Sequence, residues 1–432
     1  MAPESNALSR RLAALFKVEE REAGAVAAGL LLFFLLFTGY FMLRPVRETM
    51  GVAGGVDNLQ WLFTATFVAT LAALPLFGWL ASKVARRRIL PWTYAFFVLN
   101  LVGFGAAFRL MPDDPWLARG FYIWLSVFNL LSISLAWSVL VDVFAANQAK
   151  RLFALMAGGA SLGGLVGPLL GTVLVAPIGH SGLLLLSAAM LVGSMFASRH
   201  LQRWRDAHPL PRQESGARRK PLGGNPFAGA SAVFRSPYLL AIAVFVLLLT
   251  SVSTFLYFEQ ARLVAETFTD RTRQTQVFGT IDAVVQGLAI LTQLLVTGRI
   301  AQRLGVGVLL VAVPVVVAAG FVWLALAPTF AVFVVVMVVR RAGEYAFVRP
   351  GREMLYTVVP AEQKYKAKNF IDTVVYRGGD AVSGWVKRGL DLVADHPALA
   401  MLIGACIALA WAVAGGTLGR WHRMRETTEP RA

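Results

Sequence analysis

Twelve apolar runs, each close to the length needed to cross a bilayer, constrain this chain more than any other feature. They cover about 24–43, 59–81, 89–110, 117–142, 152–176, 181–200, 237–258, 275–298, 306–327, 329–348, 366–390 and 397–419, and are called spans 1 to 12. A membrane helix needs about 20 apolar residues. Composition agrees: 57% of the 432 residues are hydrophobic and 15% charged, a profile outside the range of soluble globular domains. The expected fold is therefore an all-α membrane protein of twelve transmembrane helices in two six-helix bundles. The first run is span-length and follows Glu19, Glu20 and Glu22, so no cleavable signal peptide is expected.

A formal charge of +17 needs placing before it is interpreted. With the N-terminus in the cytoplasm, 31 Lys and Arg fall in inside segments and nine outside, with Arg377 making 41. This bias predicts both termini in the cytoplasm, and the location expected for the chain is a bacterial inner membrane. Topology thus accounts for the basic balance, and no nucleic-acid partner is implied. Cys406 is the only cysteine, so neither an intrachain disulfide nor a thiolate cluster is expected. The five histidines stand apart, and no metal or cofactor site is expected. No nucleophile–base arrangement suggests an enzyme.

Segment 201–236 is polar and rich in Pro, Gly and Arg. It is expected to be a cytoplasmic loop dividing an N-terminal bundle, 1–200, from a C-terminal bundle, 237–432. Three matches suggest duplication. Tyr40-Phe41 with Arg44 and Glu48-Thr49 matches Tyr257-Phe258 with Arg262 and Glu266-Thr267; the run from Gly78 matches that from Gly298; Ala146–Gln148 matches Ala361–Gln363. Offsets of 215 to 220 residues agree across the three. Two parallel halves of six spans are the layout of major facilitator transporters.

The run from Gly78 also resembles the loop 2–3 signature of those transporters, with Ser82 and Gln302 where an Asp would stand. Lys83 and Arg86 could pair with Asp142 at the end of span 4, or serve topology alone. Gly159, Gly163, Gly167 and Gly171 repeat every fourth residue in span 5. Such a row lets another helix approach closely. Gly163, Gly167 and Pro168 also resemble the span 5 motif of facilitator antiporters, with packing the favoured reading. Asp282, Gln286 and Gln293 form one stripe on span 8 and should face a cavity or another helix.

The stretch Arg340–Asp380 interrupts the apolar pattern with eight basic and five acidic residues. Pro350 and Pro360 suggest a short loop, and a helix is expected from about Lys366. Asp372, Arg377 and Asp380 then lie within that helix, where charges face a bundle interior or an aqueous path. Arg377 and Asp380 have the spacing of an ion pair.

Gly351-Arg352-Glu353-Met354-Leu355-Tyr356, the lysine-rich segment after it and Ile371-Asp372 resemble the nucleotide (ATP/ADP) translocases of plastids and intracellular bacteria. Leu43-Arg44-Pro45-Val46-Arg47-Glu48 and the run from Phe144 to Phe153 resemble the same family. The resemblance implies a nucleotide exchanger and points to four charged positions. Arg47 and Glu259 retain two of them; no acid stands at 129–131, and Asp380 reverses the charge of a lysine.

These readings lead to a secondary transporter of a small organic anion, a nucleotide or other phosphate-bearing solute first. Arg44, Arg47, Arg377, Glu259, Asp380, Asp282 and Gln286 would contact substrate. Lys83, Arg86, Asp142, Gly163, Gly167, Pro168 and Arg352 would serve gating or structure. The lipid bilayer is the other partner, and a monomer is expected. The alternatives are a proton-coupled antiporter, with Glu259, Asp282 or Asp380 carrying the proton, and a non-transporting sensor on the same scaffold.

Overall fold

The computed structural model describes residues 18–84, 86–208, 227, 229–393 and 397–428, and among them it contains helices and no strand. The helices are α1 Ala23–Ala53, α2 Leu59–Lys83, α3 Arg86–Leu110 and α4 Pro115–Val143. The run Ala146–Ala207 breaks at Gly179, whose φ of 67° and ψ of 178° are accessible in practice to glycine alone. We call its parts α5 (146–178) and α6 (180–207). Then follow an unnumbered short helix of six residues, Ala230–Arg235, α7 Pro237–Thr267, and α8, which runs from Arg271 to Leu304. The set closes with α9 Val306–Leu326, α10 from Phe330 to Leu355, α11 from Ala361 to Val393, and α12 Pro397–Thr428.

Nine stretches among the described residues are long and apolar enough to cross a membrane, one of them, Arg151–Ala207, containing both α5 and α6. The helices that do not qualify are α10 and α11, the two built from the charged stretch.

By its internal contacts the chain forms two compact units. The first comprises Met1–Thr49, Pro75–Gly223 and Thr275–Ala283; the second comprises Met50–Leu74, Gly224–Gln274 and Val284–Ala432. Within unit 1, α5 lies along α1. A Cβ on Gly159 would sit 2.3 Å from Leu30 O, on Gly163 2.6 Å from Phe34 O, on Gly167 2.7 Å from Thr38 O, and on Gly171 2.9 Å from Met42 O. The contacted residues also advance by four. The glycine row is thus a seam that lets one helix rest on another's backbone. Within unit 2, α12 crosses α9 in the same manner: a Cβ on Gly419 would meet Gly307 Cα at 2.5 Å, and one on Gly415 would meet Leu310 O at 2.7 Å.

The expected loop around Pro350 is helical instead. α10 continues through a widened turn, Glu344–Val348, into Arg349–Leu355. In that turn the Arg349 N–H reaches back to Glu344 O, one residue further than in an α-helix. Tyr345 O and Ala346 O are thereby freed, because Pro350 has no N–H to give. Side chains of α8 take both: Gln293 Nε2 donates to Tyr345 O at 2.9 Å, and Thr297 Oγ1 to Ala346 O at 2.9 Å. The proline breaks no helix here because its orphaned carbonyls are satisfied from outside. Arg340 and Arg341, which are part of the inside total of 31 although the run 329–348 contains them, lie within this helix and are buried. Without them the inside total falls from 31 to 29, and the bias over nine stands.

Thr297→Val keeps the shape and removes the donor to Ala346 O. It should destabilise unit 2 by about 1–3 kcal/mol, the usual cost of a buried polar group left unsatisfied. Thermal unfolding in detergent checks this, and an unchanged melting temperature would show that the carbonyl needs no cap.

At the start of α1, Glu22 is fully buried. Burial alone pushes its carboxyl up. That effect is outweighed by bonds from Gln148 Nε2 at 2.7 Å, the Glu19 N–H at 3.2 Å and Arg151 Nη2 at 2.8 Å, so the group titrates below the usual carboxylate range. A lowered folded value means that its contribution is complete above the ordinary value of about 4.3. It disappears as pH falls through the lowered one. The melting-temperature gap between parent and Glu22→Gln should therefore be constant from pH 7 to 5 and shrink below pH 4. A gap that does not change with acidity would contradict this.

Candidate functional site

Hydroxyls on α7 organise the charged groups of unit 2. Thr250, Ser251, Ser253 and Thr254 form a polar run in an otherwise apolar helix. Ser251 Oγ lies 2.8 Å from Ser383 Oγ on α11. Ser253 Oγ accepts from Arg340 Nη1 of α10 at 2.5 Å. Thr254 Oγ1 donates to Asp380 Oδ1 of α11 at 3.5 Å. The run was not singled out in the sequence, although four hydroxyls in five residues inside an apolar span are a readable signal.

Around that run the charges pair. Arg340 Nη1 is 3.1 Å from Glu344 Oε2, and both residues are about 95% buried. Arg349 Nε approaches the other oxygen of Glu344 at 3.6 Å. Arg352 Nη2 lies 3.2 Å from Asp372 Oδ1. Arg377 Nη1 lies 3.7 Å from Asp380 Oδ2, the pairing its spacing suggested. Arg340, Arg341, Arg349, Arg352 and Arg377 outnumber Glu344, Asp372 and Asp380, so this part of unit 2 carries excess positive charge. Glu344 and Asp372 both lie in widened turns, Glu344–Val348 and Ile371–Val375. Such turns are frequent at functional sites.

In unit 1, Arg44 Nε is 3.6 Å from Asp282 Oδ2, and Asp282 is only 3% exposed. Arg47 stacks over the Tyr122 ring at 3.9 Å, donates to Tyr122 O at 3.3 Å and meets Glu48 Oε1 at 3.1 Å. His180, given no role above, is within 2.9 Å of Thr275 Oγ1, which also contacts Thr49 Oγ1 at 2.7 Å.

The remaining expected residues are dispersed. Glu259 is buried in unit 2 and paired with Arg262, which also holds Glu266 at 2.9 Å. Gln286 is half-buried on α8. Gln293 of the same stripe faces α10, as described. Lys83 is exposed at the end of α2, Asp142 is half-buried near the end of α4, and the side chain of Arg86 lies outside the described residues. Gly163 and Gly167 belong to the α1–α5 seam, with Pro168 beside them. Among the described residues no group of acids, histidines and cysteine could hold a metal ion.

The chain is similar to several solved transporters. A bacterial homologue of the iron transporter ferroportin, in an inward-facing state, is 15% identical, with 93% of this chain and 98% of that chain covered at a TM-score of 0.63. A POT family transporter in complex with a thioalcohol-conjugated peptide is 11% identical, with 92% and 96% covered and a TM-score of 0.64. The nucleoside transporter NupG, solved as a point mutant, is 14% identical, with 93% and 100% covered and a TM-score of 0.59. At such identities the likeness establishes the fold alone. No curated protein matches the sequence. The profile of the Major Facilitator Superfamily matches residues 29–350, three quarters of the length, and with the twelve helices described it places this chain in that superfamily as a multi-pass secondary transporter.

Proposed function

We propose that the protein carries an organic anion by alternating access, with a nucleotide or other phosphate-bearing solute as the leading class. The observation that supports this most is the excess of arginines in unit 2 on α10 and α11, the helices that the sequence reading takes as spans 10 and 11. Charge there is costly and marks a solute path more often than a structural prop. Arginine suits phosphate because its planar fork binds two oxygens at once. Arg377, Arg340 and, in unit 1, Arg44 and Arg47 would attract the anion. Acids already paired with Arg340, Arg377 and Arg44 would hold those groups in the absence of solute. Binding would shift the balance between inward- and outward-open states.

The resemblance to nucleotide translocases favours the same solute class. Asp380 in place of their lysine argues against plain ATP/ADP exchange. On this reading the bundles are 1–200 and 237–432, the loop 201–236 and both termini are cytoplasmic, and the protein acts as a monomer in a bacterial inner membrane.

One observation favours a second reading, proton-coupled exchange. Asp282 is nearly sealed and has Arg44 beside it, an arrangement in which a proton and a cation can compete for one carboxylate.

Uptake into proteoliposomes separates the two. Labelled nucleotides, sugar phosphates, dicarboxylates and neutral nucleosides are offered with and without a pH gradient. The proposal expects uptake of phosphate-bearing solutes that Arg377→Gln lowers at least tenfold. Gradient-driven uptake abolished by Asp282→Asn would select the second reading. Uptake confined to uncharged or cationic solutes would refute the anion assignment.

A further inference from the structure

A separate cavity of about 530 Å³ opens in unit 2, where α7 ends, α11 ends and α12 begins. That size is ordinary for small-molecule sites. The charges on its wall are already paired. Glu259 and Glu266 hold Arg262, Asp391 holds Lys387, and Asp57 holds Arg388 at 2.8 Å. Four carboxylates face three cations, which leaves one negative charge in balance.

The feature that asks for a ligand is Gln60. It lines the cavity, is 5% exposed, and its Oε1 has no hydrogen-bond partner. Its Nε2 donates to Asp57 O at 2.9 Å. That bond fixes which end of the amide is committed and leaves the oxygen as an unused acceptor. A buried acceptor without a donor is costly, so an incoming N–H or O–H group would gain from filling the place. The rest of the wall is apolar and aromatic, with Phe258, Ala265 and Met401 among its members. An aromatic face attracts cations.

We propose that this cavity binds a small organic monoammonium ion. One N–H would donate to Gln60 Oε1. The positive charge would offset the surplus carboxylate beside Glu259 and Asp57, and the carbon chain would lie on Phe258 and Met401. An anion meets cations already neutralised by carboxylates and, at Gln60 Oε1, an acceptor that repels it. A quaternary ammonium satisfies the charge but not the acceptor.

The test is isothermal titration of the purified full-length protein with n-butylammonium chloride, tetramethylammonium chloride and sodium butyrate. Saturable binding of butylammonium is expected, with tetramethylammonium at least tenfold weaker and butyrate without effect. Gln60→Met, which keeps length and removes the acceptor, should weaken butylammonium about tenfold, as loss of a hydrogen bond to a charged group does. If Gln60→Met does not elute as a monodisperse protein, Ala265→Leu carries the test by filling the cavity, and the same loss is expected. No saturable binding, unchanged binding in the folded variant, or displacement of butylammonium by butyrate overturns the proposal. The measurement reads binding without transport, so its failure leaves the anion assignment untouched.

Discussion

Gly159→Ala should remove most of the folded protein, whereas Gly158→Ala, one residue away, should leave it intact. The two glycines share a helix and a neighbourhood but face different surroundings. A Cβ on Gly159 would lie 2.3 Å from Leu30 O and 3.1 Å from Leu30 C, against backbone that cannot rotate aside. To make room, α1 and α5 would have to separate along a seam that also includes Gly163, Gly167 and Gly171. Overpacking in a soluble core costs about 1–3 kcal/mol; losing the whole seam should exceed the top of that range. A Cβ on Gly158 meets nothing within 4 Å, and alanine is the better helix former by up to about 1 kcal/mol. The yield of monodisperse protein and its melting temperature in detergent report the difference. Equal behaviour of the two variants would mean that α1 and α5 do not lie on each other as described.

The second large effect concerns Arg340 and Glu344. Removing either partner leaves a buried charge whose counterpart has gone, which typically costs about 3–5 kcal/mol. Arg340→Ala and Glu344→Ala should each lower the melting temperature sharply, with Glu344→Ala the more severe because it also releases Arg349. Replacing both at once, Arg340→Met with Glu344→Leu, fills the space with apolar atoms and should recover most of the stability. Transport separates structure from function here. If the pair serves the solute path, the double variant folds and does not transport. If it transports like the parent, the pair only holds α10 against α7.

The sequence made the helices legible because apolar runs of span length admit few other folds, and the glycine row was legible because its period equals that of the helix. Two things were not. Pro350 looked like a loop because its compensation comes from Gln293 and Thr297, far earlier in the chain, and no local pattern connects them. Arg340 and Arg341 lie in the run 329–348 yet count among the inside charges in the sequence reading, since spacing does not show that both are buried in the helix, with Ser253 and Glu344 as the partners of Arg340. The hydroxyls from Thr250 to Thr254 are by contrast readable, though neutral side chains hardly lower the hydropathy of a leucine-rich span. Long-range pairs such as Arg44 with Asp282, 238 residues apart in sequence, depend on how helices meet, which residue spacing does not encode. Arg377 and Asp380, three apart on one helix, could be paired from spacing alone.

The central claim, that the arginines of α10 and α11 belong to a path for a phosphate-bearing solute, is tested most directly by equilibrium binding of labelled ADP and labelled adenosine to the purified protein. The two ligands differ by the diphosphate alone. The account predicts that ADP binds saturably, that adenosine binds at least tenfold more weakly, and that Arg377→Gln abolishes the difference. Adenosine binding as tightly as ADP, or a preference for ADP that survives in Arg377→Gln, would contradict it.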